Sequence, residues 1–354
     1  MPTYMIIIAL VSAFVAAYLL VPVAIKIAYR VGAIDQPEKR KVHVQAMPRM
    51  GGLAIFIAFL LCMVFIVKVS GPFQGIIYGT VIIFIVGLLD DIFQLSAWIK
   101  LIGQIIAAAV AIHFGVVVHF VTNPFDGMLS LGFLSLPITF LWIVGISNAI
   151  NLIDGLDGLA AGVSSIAAST MGIVALLQGQ TMVAIVAFVL VAAILGFLPY
   201  NFHPARTFMG DSGSNFLGFT LACLAVTGMA KGAAIISLLM PIVILGIPIF
   251  DTCFAIIRRI NKKAPIFEPD KDHLHHRLMK IGFSHRSTVL LIYGISAFFG
   301  VVAVVLTLLN SPKATLLLAL LLLLVIIGAD KIGLLTGGKV KVHVRQVKHE
   351  TLNG

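Results

Sequence analysis

The sequence is short of charge. Of its 354 residues only 11% are Asp, Glu, Lys or Arg, against about 25% in an ordinary soluble domain. A water-soluble fold of this length could not cover its surface with so few charges. Disorder is excluded as well, because disordered chains are poor in apolar residues and this one is 60% apolar. Cysteine is scarce. Cys62, Cys223 and Cys253 all lie within apolar runs, which leaves no disulfide framework and no zinc-ligand spacing. No basic residue precedes the first apolar run, which stays uncharged from Met1 to Ile25, too long for a signal-peptide core. It reads as an uncleaved first span. Internal repeats and low-complexity segments are absent. The sizeable polar stretches are 26–49, 256–287 and 331–354, so no separate soluble domain is expected.

What is present is apolar and continuous, with a mean hydropathy of +1.11. Solid runs, rather than alternating ones, predict helices and not barrel strands. The expected fold is all-α: a polytopic integral membrane protein with eleven helices near 4–25, 50–67, 71–89, 101–119, 134–153, 158–177, 181–199, 214–230, 235–255, 288–308 and 314–330. Each can cross a hydrocarbon layer of about 30 Å at about 1.5 Å per residue. Residues 1–330 form one transmembrane catalytic domain, and 331–354 form a basic tail. Lys and Arg set the orientation. With the N-terminus outside, every one except Lys68, Lys231 and Lys313 becomes cytosolic, and so does the C-terminus. Acids contribute little to topology, yet all but Asp126 fall on the same side. Carboxylates gathered on one face without a topological reason point to a site.

Asp90-Asp91 closes the third span. Adjacent helix residues diverge by about 100°, so the pair can hold two different partners. Asn148, Asn151, Asp154 and Asp157 recur every third residue and stack along one helix stripe. A helix cap at Asp157 would account for one of the four, not for all. Asp211 opens the eighth span beside Phe208, where a cap and a ligand are equal readings. The run His273-Leu274-His275-His276-Arg277 is denser in imidazole than lipid-headgroup contact requires. The first loop, with Lys41, His43, Pro48, Arg49 and paired Gly51-Gly52, reads first as topological charge. Asp251 needs a partner at its membrane end, for which Arg258 or Arg259 is at hand. Clustered carboxylates with a basic rim suit a hard divalent cation and phosphates. The residues alone therefore predict metal-dependent chemistry between a membrane lipid and a cytosolic phosphate compound.

The segments LLDD (88–91), NLIDGLDGLA (151–160), FMGDSGS (208–214), HLHHRL (273–278) and PRMGG (48–52) resemble the signature segments of the polyprenyl-phosphate N-acetylhexosamine-1-phosphate transferases, glycosyltransferase family 4. The resemblance runs in order over residues 1 to about 330. It is strongest to the branch that transfers GlcNAc-1-phosphate from UDP-GlcNAc to undecaprenyl phosphate, the first membrane step of a cell-envelope glycopolymer such as wall teichoic acid. The related branch using UDP-MurNAc-pentapeptide carries a segment with three histidines in a row instead, and is the runner-up. Many relatives carry a further acid where Gln94 stands. The resemblance implies Mg²⁺, or Mn²⁺, held by Asp211 with Asp91 and Asp154. It implies Asp90, Asp91, Asp154 and Asp157 as the catalytic set. Substrate binding falls to Asn148, Asn151, Leu156, Asn201, Phe208, His273, His275, His276, Arg277, Lys41 and His43. The implied partners are undecaprenyl phosphate, UDP-GlcNAc and the plasma membrane, with the active site on its cytosolic face. Homodimers are common in the family, and no nucleic acid is expected. Direct displacement and a covalent aspartyl-phosphate route both stay open. A cation-coupled transporter is the rival of another class. It would place its carboxylates near the bilayer midplane, often within inverted repeats.

Overall fold

The computed structural model describes residues 1–36, 46–122, 128–229, 239–261, 263, 272–309, 311–331 and 334. The fold is all-α, with 81% of the described residues helical. The helices are α1 (Thr3–Val31), α2 (Gly52–Leu61, running on as a π-helix over Cys62–Val67), α3 (Pro72–Phe93), α4 (Ala97–His113), α5 (Ser135–Ile153), α6 (Leu159–Leu177) and α7 (Thr181–Asn201). They continue with α8 (Gly210–Met229), α9 (Leu239–Ile244), α10 (Gly246–Asn261), α11 (Leu274–Lys280), α12 (His285–Leu308) and α13 (Ser311–Lys331). Two small antiparallel pairs join them: β1 (Ile34–Asp35) with β2 (Met47–Pro48), and β3 (Phe120–Thr122) with β4 (Met128–Ser130).

Among the described residues, six helices are long and apolar enough to cross a membrane, and Gly52–Val67 and Ala97–His113 are shorter apolar helices. The protein is a multi-pass membrane protein. Several boundaries differ from the sequence reading. The fourth helix spans Ala97–His113 rather than 101–119, because Ser96 caps it and its hydroxyl accepts from the Ile99 amide. The ninth run, expected as one helix over 235–255, breaks at Leu245 into α9 and α10. Pro248 then falls in the first turn of α10, where no amide donor is needed. Most of the expected tail lies outside the described residues.

Packing explains which helix lies at the centre. Around α8, Phe216, Leu217, Phe219, Leu221, Ala222 and Cys223 are fully buried, and α3, α5, α2 and α6 pack against it. A helix apolar on all sides must be enclosed. By contrast α1 buries a single stripe of Ala9, Ala13, Ala17, Val21, Ala24 and Ala28, while Ile7, Val11, Tyr18 and Leu19 face outward. Small residues inside and large ones outside suit lipid, where close backbone approach rather than water exclusion holds helices together. The closest approach lies at one end of the bundle. A Cβ on Gly87 would come within 2.5 Å of the Ser212 Cα, and one on Gly52 within 2.3 Å of the Gly213 Cα. The start of α8 is thus pressed between α2 and the end of α3.

Candidate active site

The end of α3 and the start of α8 build the centre of the site. Asp90 and Asp91 point to different partners. The Asp91 Oδ1 accepts from the Asp211 amide at 2.8 Å and Oδ2 from the Ser212 amide at 3.0 Å. It acts as the N-terminal cap of α8 from another helix, a position where a carboxylate also meets the positive end of the helix dipole. Arg49 donates to the Asp91 carbonyl from Nε and Nη2 at 3.2 and 3.0 Å. The Asp90 Oδ1 accepts from the Leu95 amide at 2.8 Å. Its Oδ2 lies 3.0 Å from Lys100 Nζ, and the same ammonium lies 3.0 Å from Asp211 Oδ2. Lys100 therefore bridges the two acids.

The polar stripe of α5 lies alongside. Asn148 and Gln104 exchange amide hydrogen bonds at 2.8 and 3.2 Å, and Gln104 Nε2 also donates to Asn215 Oδ1 at 3.1 Å. Asn151 Nδ2 donates to the Ser214 hydroxyl at 2.8 Å. Asp154 follows the last turn of α5. Its side chain makes no hydrogen bond or ion pair among the described residues. It keeps a partly open surface within a dense protein surround. Burial, with Asp211 and then Asp91 and Asp157 as neighbouring negative charges, pushes its carboxyl up to about 8.

The next turn holds the loops together. The Asp157 Oδ2 accepts from the Ala205 amide at 3.1 Å and lies 2.8 Å from His203 Nδ1. Asp157, His203 and His285 offer ligand atoms all within 4.8 Å of one another. Leu156 is buried in the apolar core. Asn201 is also buried, accepting from the Gly158 amide at 3.1 Å and donating to the Thr207 carbonyl at 3.0 Å. Phe208 is half-buried, with its backbone paired to Pro48 and Gly51.

The helix α11 closes over the same loop. His273 and His275 are buried, with parallel rings 6.0 Å apart, and the His276 ring lies 4.1 Å from that of His275. A Cβ on Gly155 would stand 2.6 Å from His275 Nε2, so the glycine is what lets α11 settle there. Burial, with His276 next, pushes His275 down to about 3, and its ring is neutral at physiological pH. Arg277 is buried and pairs with Asp272 at 3.3 Å. Asp251 pairs with His273 rather than with Arg258 or Arg259, as the sequence had suggested. Arg258 reaches the Leu334 carbonyl at 2.8 Å instead.

Over residues 73–229 the chain matches the model of "Glycosyl transferase family 4". It is 48% identical over 307 residues to a probable undecaprenyl-phosphate N-acetylglucosaminyl 1-phosphate transferase of Bacillus subtilis (strain 168), covering 85% of each chain. The chain belongs to glycosyl transferase family 4. It is also 39% identical to a decaprenyl-phosphate N-acetylglucosaminephosphotransferase of Mycobacterium tuberculosis (strain ATCC 25618 / H37Rv), over 77% of this chain and 76% of that one. An undecaprenyl-phosphate alpha-N-acetylglucosaminyl 1-phosphate transferase of Salmonella typhimurium is 30% identical over 80% of this chain and 79% of its own.

The family match spans α3 to α8 and so contains Asp90, Asp91, Asn148, Asn151, Asp154, Asp157, Asn201, Phe208 and Asp211. The α11 residues lie beyond it. Lys41 and His43 lie outside the described residues. Sequence reasoning passed over Lys100, Gln104 and Asn215. Lys100 had been read as topological charge alone. Its signal was position: a single lysine ten residues after Asp90, at the start of the next span.

Proposed function

We propose that this protein transfers GlcNAc-1-phosphate from UDP-GlcNAc to undecaprenyl phosphate, giving undecaprenyl-diphospho-GlcNAc and UMP. The observation that carries the reading is the meeting of Asp90 and Asp211 on Lys100, with Asp91 and Asp154 beside Asp211, at one end of an apolar bundle. The activities by which the relatives are named supply the sugar and the lipid class. The product would begin a cell-envelope glycopolymer.

In this reading a phosphate oxygen of the lipid attacks the sugar-bearing β-phosphorus of UDP-GlcNAc. The new P–O bond forms as the bond to the bridging oxygen breaks, and that oxygen leaves with UMP. A phosphate monoester has its second pKa near about 6, so the nucleophile arrives largely deprotonated and Asp90 orients it. Lys100 balances the negative charge that would otherwise separate Asp90 and Asp211. Asp91 positions Asp211 by holding the start of α8. Phosphoryl transfer depends mainly on such positioning and charge balance.

The donor set suits Mg²⁺. It is all oxygen, and the Asp154 carboxylate is unpartnered among the described residues. Asp211 and Asp154 would hold the ion, which when bound draws negative charge from the phosphates. An N-terminus-outside orientation with the site on the cytosolic face accords with the lysine and arginine distribution. An apolar groove of about 430 Å³ between α10, α12 and α13, lined by Phe250, Leu290, Phe298 and Val325, reaches Asp251 and Leu274. It suits a polyprenyl chain entering from the lipid side.

The test is UMP release by the purified protein. UMP should appear only when UDP-GlcNAc, undecaprenyl phosphate and Mg²⁺ are all present. Release with UDP-MurNAc-pentapeptide but not with UDP-GlcNAc would overturn the substrate assignment.

A further inference from the structure

We infer that Asp251 is a positioning residue for this transfer, setting the ring of His273 and the seat of α11 over the loop that carries Asp154. The inference rests on the proposed reaction. Asp251 sits in the second turn of α10 and is 3% exposed, and His273 is 4% exposed. A carboxylate in such surroundings is costly unless its oxygens are satisfied. Both are. Oδ1 accepts from the Leu274 amide at 2.8 Å, which caps α11, and Oδ2 lies 2.9 Å from His273 Nδ1.

An ionised carboxylate only accepts, so the proton of that contact belongs to Nδ1 of His273. Nε2 is then the ring nitrogen left for a ligand. From His273 the chain of contacts runs to the parallel ring of His275, and from there to Gly155, the residue after Asp154. One acid thus sets both a tautomer and a height. Asp251 also lines the apolar groove with Leu274, and so stands where the proposed lipid path meets the histidines.

Asp251→Asn separates the two duties. Its carbonyl oxygen can still accept from the Leu274 amide, but its NH₂ must donate to His273 Nδ1, which moves the ring proton to Nε2. In the full-length protein labelled with ¹⁵N-histidine, His273 is assigned by its loss in His273→Gln. The wild type should show Nδ1–H and Asp251→Asn should show Nε2–H. Nε2–H in the wild type, or one tautomer in both proteins, overturns the proposal. In turnover, Asp251→Asn should lower kcat about 100-fold with the KM for UDP-GlcNAc moving less than about threefold. The double variant with His273→Gln should be no slower than His273→Gln alone. Losses that multiply would overturn the coupling. Should Asp251→Asn fail to fold, the wild-type tautomer still decides, and Asp251→Glu takes the kinetic arm with at least about a tenth of wild-type kcat expected. If the wild type releases no UMP from UDP-GlcNAc, the proposed function falls, while the spectra still judge the His273 geometry.

Discussion

Asp91 caps the helix that begins with Asp211. Its two carboxylate oxygens take the amides of Asp211 and Ser212 at 2.8 and 3.0 Å, across 120 residues of sequence. The two acids of the Asp90-Asp91 pair are therefore not equivalent. Asp91→Ala leaves two buried amides without acceptors, a loss of about 2 kcal/mol. Asp90→Ala frees a side chain held by Lys100 and one loop amide. Thermal unfolding in detergent should show Asp91→Ala clearly less stable than Asp90→Ala, while both lose transfer activity. Equal midpoints would refute the capping role.

In the proposed reaction Lys100, 3.0 Å from the Asp211 carboxylate, would compete for it with a metal ion. Lys100→Met removes that competitor and leaves Asp90 and Asp211 facing each other without a counter-charge. The Mg²⁺ concentration for half-maximal activity should fall several-fold, and kcat should fall about 100-fold or more as charge balance in the transfer is lost. The two effects have opposite signs, so one titration of activity against Mg²⁺ reads both. A raised Mg²⁺ requirement would show that Lys100 supports the metal site instead.

Class and site differ in how far the sequence reveals them. Membrane class and helix content follow from composition, because each apolar run carries its own signal. The break at Leu245 does not, since the run stays apolar through Gly246 and Pro248, while α9 packs mainly on α12 and α10 mainly on α5. Asp90, Asp154 and Asp211 stand out because acids are rare in such a chain. Lys100 does not, because positive charge at a span end already has a topological explanation. The cap on α8 is invisible for another reason. Its donor and acceptor lie in segments that only the glycines of α2 and α3 bring together.

The Asp154 carboxyl is raised to about 8 by burial and then by its acidic neighbours, so metal binding in the proposed site should depend on pH. A protonated carboxyl is a poor ligand, so below about 8 the ion must displace a proton. Affinity for Mn²⁺ should rise about tenfold per pH unit from 6 to 8 and level off above 8. Asp154→Asn should flatten that slope and weaken binding throughout. Binding isotherms at pH 6, 7, 8 and 9 decide the matter, and a pH-independent affinity in the wild type would remove Asp154 from the site.

Gly155 and His275 make the last contact between the acidic loop and α11. A methyl group on residue 155 would lie 2.6 Å from the buried Nε2 of His275, and a ring wedged in that way has little room to swing aside. Gly155→Ala should cost about 1–3 kcal/mol by overpacking and depress turnover by lifting α11. His275→Ala vacates the space. On that background Gly155→Ala should be nearly neutral in thermal unfolding, because the two changes share one contact. Stability losses that simply add would place the strain of Gly155→Ala in the loop itself and separate α11 from it.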